Sequence, residues 1–525
     1  MEHTYPVETG NLLSLQAEHD LAMLEYGTVA TSSSTRLPSN TDSADIDPEA
    51  YLQWTHVKNE LVWLIRSATP IVISSTSQLL IMVPLLAAVG RLGTVALASM
   101  NLAGLYAGLC GVTPLAGIAM ALDTFCSQSF TATKDKRILG VLLQRALLIG
   151  LAIMTLIYPL WWYSKYVFEM FGVPEEVAEV TGRLLRIYFF GIALLISYEF
   201  LRSFLFAQGI RKFALIAQSI GLAVGWTLTW LLVGNPSTSV GIIGVAFVVL
   251  GVAGTFSAVT IFYIAKVDGY QCWGGWSRAA LRDWMPLLKL SVAGAIVSFL
   301  ETLSVSSIDL ASMFMGAQTM AAQAVLSMLM TSTWVMGTGF SVAACNRVGN
   351  HLGSGLPNRA KLAVLAATLL SAIAFGALAL VFICYRTSLP YIFSEDGEVI
   401  EILATHIPWA AIAGAMQGIN MALNGVLRGQ GRQKMIAQIR FLSFVLVGVP
   451  VSVLAIFVFK WMLAGLWLGL VVCLATVLAI QINVIMTTDW AKEVIACQKR
   501  VTATVNTSHE VDAVLDNGEN AEPLL

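Results

Sequence analysis

Charge is scarce in this chain. Of 525 residues, 12% are Asp, Glu, Lys or Arg, against roughly 25% in an ordinary soluble domain. So little charge cannot cover a soluble surface, and a water-soluble globule is excluded. What charge there is nearly cancels, with a formal net of -2. That excludes the basic footprint of a nucleic-acid partner. Cysteine is sparse too. The seven cysteines include no CxxC pair, so neither a disulfide framework nor a zinc site is written here. Cys110, Cys126, Cys345, Cys384 and Cys473 lie in or beside apolar runs, where thiols serve as small packing residues. There is no Walker A string, no G-x-S-x-G elbow and no HExxH. ATP-driven export and hydrolytic chemistry therefore have no carrier, and the chain reads as no enzyme. No cofactor is expected.

What is present is apolar. Hydrophobic residues make up 57% of the chain, and mean hydropathy is +0.75. Twelve apolar segments run over 61–89, 95–125, 138–163, 184–208, 213–234, 241–265, 284–315, 319–346, 361–384, 403–427, 436–459 and 462–487. Most exceed the ~20 residues a helix needs to cross hydrocarbon. The expected class is an all-α polytopic membrane protein, with the lipid bilayer as its constant partner. Residues 1–55 are polar, with no apolar h-region, and are expected to form a disordered cytosolic tail. Within them Glu8 and the pair Leu12-Leu13 fit an acidic dileucine sorting string. Residues 488–525 return to polar composition and are expected to form a second cytosolic tail.

Loop charge sets the expected orientation. Bases follow the even-numbered segments: Lys134, Lys136 and Arg137; Arg211 and Lys212; Lys266, Arg278 and Arg282; Arg347, Arg359 and Lys361; Arg428, Arg432 and Lys434. The opposite loops hold few bases, and two carry acids, Glu175 and Glu176 in one, Glu395 and Asp396 in another. This positive-inside pattern places both termini in the cytosol.

The chain also repeats itself. Arg202–Lys212 (RSFLFAQGIRK) and Gly425–Lys434 (GVLRGQGRQK) align Leu205 with Leu427, Gln208 with Gln430, Gly209 with Gly431 and Lys212 with Lys434, each 222 residues apart. Ala121–Gln128 and Ala343–Asn350 share that offset. The expected organisation is an N-lobe over 56–265, a cytosolic linker over 266–283 and a C-lobe over 284–487. Six crossings per lobe insert both halves in one orientation, with a cleft between repeats as the usual substrate site.

Several strings then carry a resemblance. Pro70, Gln78 and GRLG at 90–93 lie in and after the first segment. They are followed by ALDTFCSQ at 121–128, Gln144-Arg145, YEFLRSFLFAQGI at 198–210, RVGNHLGSGLPNRAK at 347–361 and NGVLRGQGRQ at 424–433. In this order and spacing, over roughly residues 60–490, the chain resembles the multidrug and toxic compound extrusion (MATE) family, most closely its fungal branch. The resemblance implies twelve helices in two pseudo-symmetric lobes, alternating access and export of small organic compounds against inward H+ or Na+, with H+ favoured. A monomer is expected. Vacuolar and plasma membrane both remain open. Flipping of a lipid-linked substrate, and a receptor or scaffold that kept the fold, are the alternatives.

An ionisable group within a span is a functional candidate by default, because burying it in hydrocarbon costs at least ~2.5–3.5 kcal/mol. Glu301 and Asp309 lie in the seventh segment, on one helical stripe with Ser304, Val305, Ile308 and Ser312. The resemblance implies cation coupling at Glu301, with Asp309 as its second. It also exposes departures. Ser306 stands where relatives often carry a second acid, Gln417 where the tenth helix usually has one, and Thr131-Ala132 where a GA pair is usual. Gln78, Ser304 and Gln417 are the candidate substrate hydrogen-bonding groups. Asp123 and Gln128 are expected as helix-end structure near Lys134 and Arg137, and Glu199 with Arg202 as a neutralised i, i+3 pair. His406 is the only histidine within a predicted span and is expected to be structural. No histidine cluster suits a metal.

Overall fold

A computed structural model of the chain describes residues 54–519, with side chains to residue 505. The N-terminal tail and its dileucine string lie outside the described residues. Twelve helices among the described residues are long and apolar enough to cross a membrane. They are α1 (Trp54–Gly90), α2 (Thr94–Ala132), α3 (Ile138–Trp162), α4 (Glu175–Ala207), α5 (Lys212–Gly234), α6 (Ile243–Lys266), α7 (Trp284–Met315), α8 (Ala317–Gly353), α9 (Pro357–Cys384), α10 (Gly397–Gly429), α11 (Gln433–Phe457) and α12 (Met462–Met486). Each matches one apolar segment. Three helices contain a π turn that no hydrophobic period reveals: α2 at Gly108–Val112, α5 at Trp230–Gly234 and α11 at Ser443–Gly448.

Each half packs within itself. In the first, α4 lies on α2, α3 and α6, while α5 joins α1 to α6. In the second, α10 lies on α8, α9 and α12, while α11 joins α7 to α12. The halves meet where α2 packs against α7 and α8, and where α1 reaches α8 and α9. At the α2–α7 crossing nothing but backbone fits. A Cβ on Gly117 would sit 2.1 Å from the Ser291 carbonyl oxygen and 2.5 Å from the Ala295 nitrogen. Small residues allow helices in lipid to approach this closely.

The repeated junction folds the same way twice. Gly209 and Gly431 sit at φ 80° and 76°, a left-handed conformation that glycine adopts without a Cβ clash. After Gly209, the Ile210 N–H donates to the Leu205 carbonyl at 3.1 Å. After Gly431, the Arg432 N–H donates to the Leu427 carbonyl at 2.9 Å. Both are Schellman closures. The two copies lie on one face: Arg211 of the first junction and Arg347 at the end of α8 both lie over the Trp63 ring, 4.5 and 4.3 Å from its centre, and the α8 backbone at Cys345 and Gly349 lies directly against Gly429 of the second junction.

The linker is clamped. Gln144 of α3 donates to the Gly275 carbonyl at 2.6 Å and accepts from the Ser277 N–H at 2.9 Å. Arg145 donates to the Ala279 carbonyl at 3.1 Å. The second tail is largely helical. Residues 490–519 form a helix, α13 (Trp490–Glu519), packed on α8, α9, α2 and the linker. Its buried Trp490, Val494, Cys497 and Val501 recur at helical spacing, so a polar average concealed an apolar stripe. Arg500 caps the second junction by donating to the Gln430 carbonyl at 2.6 Å. Arg432 of that junction pairs with Glu493 and donates to Thr488 at 2.9 Å.

Candidate functional site

The stripe of α7 faces a cavity of about 270 Å³. Glu301, Ser304 and Asp309 line it, with Gln417 from α10, so four of the candidate residues converge. Its walls come only from helices of the second half. Met330 and Trp334 of α8 and Leu470 and Leu474 of α12 supply the apolar surface. Gln78 does not reach it. Helix α1 packs on α5, α8 and α9, and Gln78 is half-buried on it.

Glu301 is 8% exposed and does not stand alone. The Arg440 guanidinium, from α11, lies 2.8 Å from its Oε1. Asn424 Nδ2 donates to the same oxygen at 3.2 Å, and Gln481 Nε2 donates to Asn424 Oδ1 at 2.6 Å. Sequence reasoning passed over Arg440. A signal existed, since it is an arginine inside the apolar segment that begins at residue 436, but it follows a basic loop and reads as part of it. Asp309 is held differently. Its Oδ1 accepts from Gln323 Nε2 at 3.0 Å and from the Ser327 hydroxyl, while Trp467 fixes Gln323 through a 3.0 Å bond. Asp309 is therefore ordered without a cation.

Asp123 and Gln128 belong to a second structure, a seal across the two halves on the basic-loop face. Asp123 pairs with Arg428 of α10, not with the nearby Lys134 and Arg137. The Thr124 hydroxyl donates to the Arg428 carbonyl at 2.8 Å, and Gln128 Nε2 donates to the Gly429 carbonyl at 2.7 Å. Gln433 Nε2 donates back to Thr124 Oγ1 at 2.9 Å. Thr131, one of the departures from the family pattern, donates to the Asn350 carbonyl at 2.8 Å. Glu60 of α1 adds a further link, with Arg347 of α8 at 2.6 Å and His351 at 3.3 Å. Charges buried together in this way are supported only by close partners. Glu199 and Arg202 form the expected i, i+3 pair. His406 bonds its own helix, Nδ1 lying 2.7 Å from the Ile402 carbonyl.

Comparison with known proteins follows the same division into halves. The family model described as MatE matches twice, at residues 70–231 and 293–454. An uncharacterized transporter of Schizosaccharomyces pombe is 32% identical over 78% of this chain and 76% of its own length. Multidrug and toxin extrusion protein 1 of Homo sapiens is 26% identical over 83% of this chain and 75% of its own. Among solved structures, the eukaryotic MATE transporter AtDTX14 superposes with a TM-score of 0.78 at 22% identity, covering 85% of this chain and 99% of that one.

Proposed function

The chain belongs to the MatE family, and from that premise we propose that it is a secondary antiporter exporting small organic compounds in exchange for protons. One observation carries the reading. An intramembrane carboxylate, Glu301, lines a cavity with Ser304, Asp309 and Gln417, while the basic-loop face is closed by bonds between the halves. With that face in the cytosol, as loop charge indicates, the cavity belongs to a state shut toward the cytosol. A proton and a substrate that cannot occupy Glu301 together exchange across the membrane through it.

Each residue has a place in this cycle. Glu301 exchanges its Arg440 contact for a proton or for substrate. Gln417 offers the substrate an amide but no proton site, so the second half relies on Glu301 and Asp309 for charge. Breaking the Asp123–Arg428 and Gln128–Gly429 links opens the cytosolic side. The test is uptake of a substrate panel into proteoliposomes under an imposed pH gradient, with a Na+ gradient in parallel. Glu301→Gln should abolish pH-driven flux while leaving expression intact, and Asp309→Asn should reduce it less. Normal pH-driven flux in Glu301→Gln would remove Glu301 from the coupling role. Flux driven by Na+ alone would replace the proton.

A further inference from the structure

Arg440 is the one cation among the described residues that line the cavity. It is 4% exposed and lies in α11 just before the π turn at Ser443–Gly448. One guanidinium nitrogen faces Glu301 at 2.8 Å, while its Nε makes no hydrogen bond. Both residues line the same cavity. Any ligand that reaches Glu301 must therefore enter an existing ion pair.

The sign of the ligand then decides the outcome. A monocation that takes Glu301 leaves Arg440 buried without its counter-charge. An anion that takes Arg440 strands Glu301 in the same way. Separating a buried pair is strongly unfavourable because the orphaned ion has no water to turn to. A ligand bearing both charges on neighbouring atoms avoids either loss. Its ammonium replaces Arg440 at Glu301, and its carboxylate replaces Glu301 at the Arg440 guanidinium. The 2.8 Å separation of the pair sets how close the two ligand charges must lie. Trp334, Met330, Leu470 and Leu474 receive the apolar remainder.

Resting on the export reading, we propose that Arg440 makes this cavity selective for small zwitterions with adjacent ammonium and carboxylate groups. A proton on Glu301 removes the ammonium's partner, at the same cost of leaving Arg440 unpaired, so zwitterion and proton still exclude each other. Such selectivity is a difference between affinities, created by an unpaired charge against the wrong ligand.

The full-length protein, purified in detergent, is tested by equilibrium binding of three radiolabelled probes with one indole body. Tryptophan carries both charges, its methyl ester only the ammonium at about pH 6, and indole-3-propionate only the carboxylate. The expected result is tryptophan binding at least about 10-fold tighter than either. Arg440→Gln should erase the advantage over the ester, and Arg440→Lys should keep most of it. Ester or propionate binding as tightly as tryptophan to the wild type overturns the proposal. So does an advantage that survives Arg440→Gln, or binding of none of the three. If Arg440→Gln does not fold, the wild-type ratio and Arg440→Lys still decide. Proton-driven flux of panel cations alongside a failed ratio sinks the selectivity alone. An absence of any ion-driven flux sinks the export reading, and the binding ratio still judges Arg440.

Discussion

Replacing Gln128 by alanine removes one strut of the basic-face seal. Its Nε2 donates 2.7 Å across the boundary to the Gly429 carbonyl, and the side chain is fully buried. After truncation that carbonyl stays buried without its partner, a loss of about 1–3 kcal/mol. The amide's own Oε1 has no partner in the wild type, so deleting it returns part of the loss. The expected net effect is about 1 kcal/mol. When the halves part at this face, water serves both groups, so the whole effect falls on the open–closed equilibrium. The open fraction should rise about 5-fold. Cys345 reports it. The residue is fully buried and lies beside Thr124, Asp123 and Arg428. In a chain with the other six cysteines replaced, a charged maleimide added to the basic-loop face labels Cys345 at a rate that follows the open population. Gln208→Ala is the control, because Gln208 Nε2 donates to the Phe204 carbonyl of its own helix at 3.0 Å. Labelling of the Gln128→Ala chain at or below the wild-type rate would refute the reasoning.

Gly418→Ala would place a Cβ 2.2 Å from the Phe375 ring, an overpacking that should destabilise by about 1–3 kcal/mol. Thermal unfolding should register it, and Phe375→Leu in the same chain should recover part of the loss. Gln144→Ala loses both bonds to the linker, and trypsin should then cut at Arg278 or Arg282 faster, with little change in the unfolding temperature. Val494→Asp puts a carboxylate into the buried face of α13 and should release that helix. Burial there pushes the Cys497 thiol up to about 12, against ~8.5 for a free thiol. Above about pH 8.5 the undocked form binds fewer protons, so docking weakens as pH rises. Cys497 labelling should therefore climb with pH, and should start higher in Val494→Asp.

The twelve spans were legible because each is a long apolar run, and the repeat because its junction kept Gln-Gly at one offset. Glu301, Ser304 and Asp309 were legible as a set, since i, i+3 and i+8 share a helix face whatever surrounds them. Partners across the fold were not. Asp123 looks to Lys134 and Arg137 when only chain distance is known, yet its partner, Arg428, is 305 residues away. Arg440 sits beside a basic loop in sequence and beside Glu301 only after α7 and α11 pack. Gln78, on α1, is not among the residues lining this cavity, whose walls come from the second half alone. In α13 the averaged polarity of a tail hid four apolar positions on one side of a helix.

At Gly117 the two halves touch main chain to main chain, the glycine lying directly against the Ser291 carbonyl and the Ala295 nitrogen. Interlocked side chains would have to disengage before one helix could turn on the other, as cogs must. Bare backbone surfaces can roll instead. In the export cycle proposed above, this crossing would serve as a smooth bearing, holding the halves in contact while the seal at the basic-loop face makes and breaks. A methyl group there would be grit in that bearing, impeding the turning while leaving every charged residue of the cavity in place.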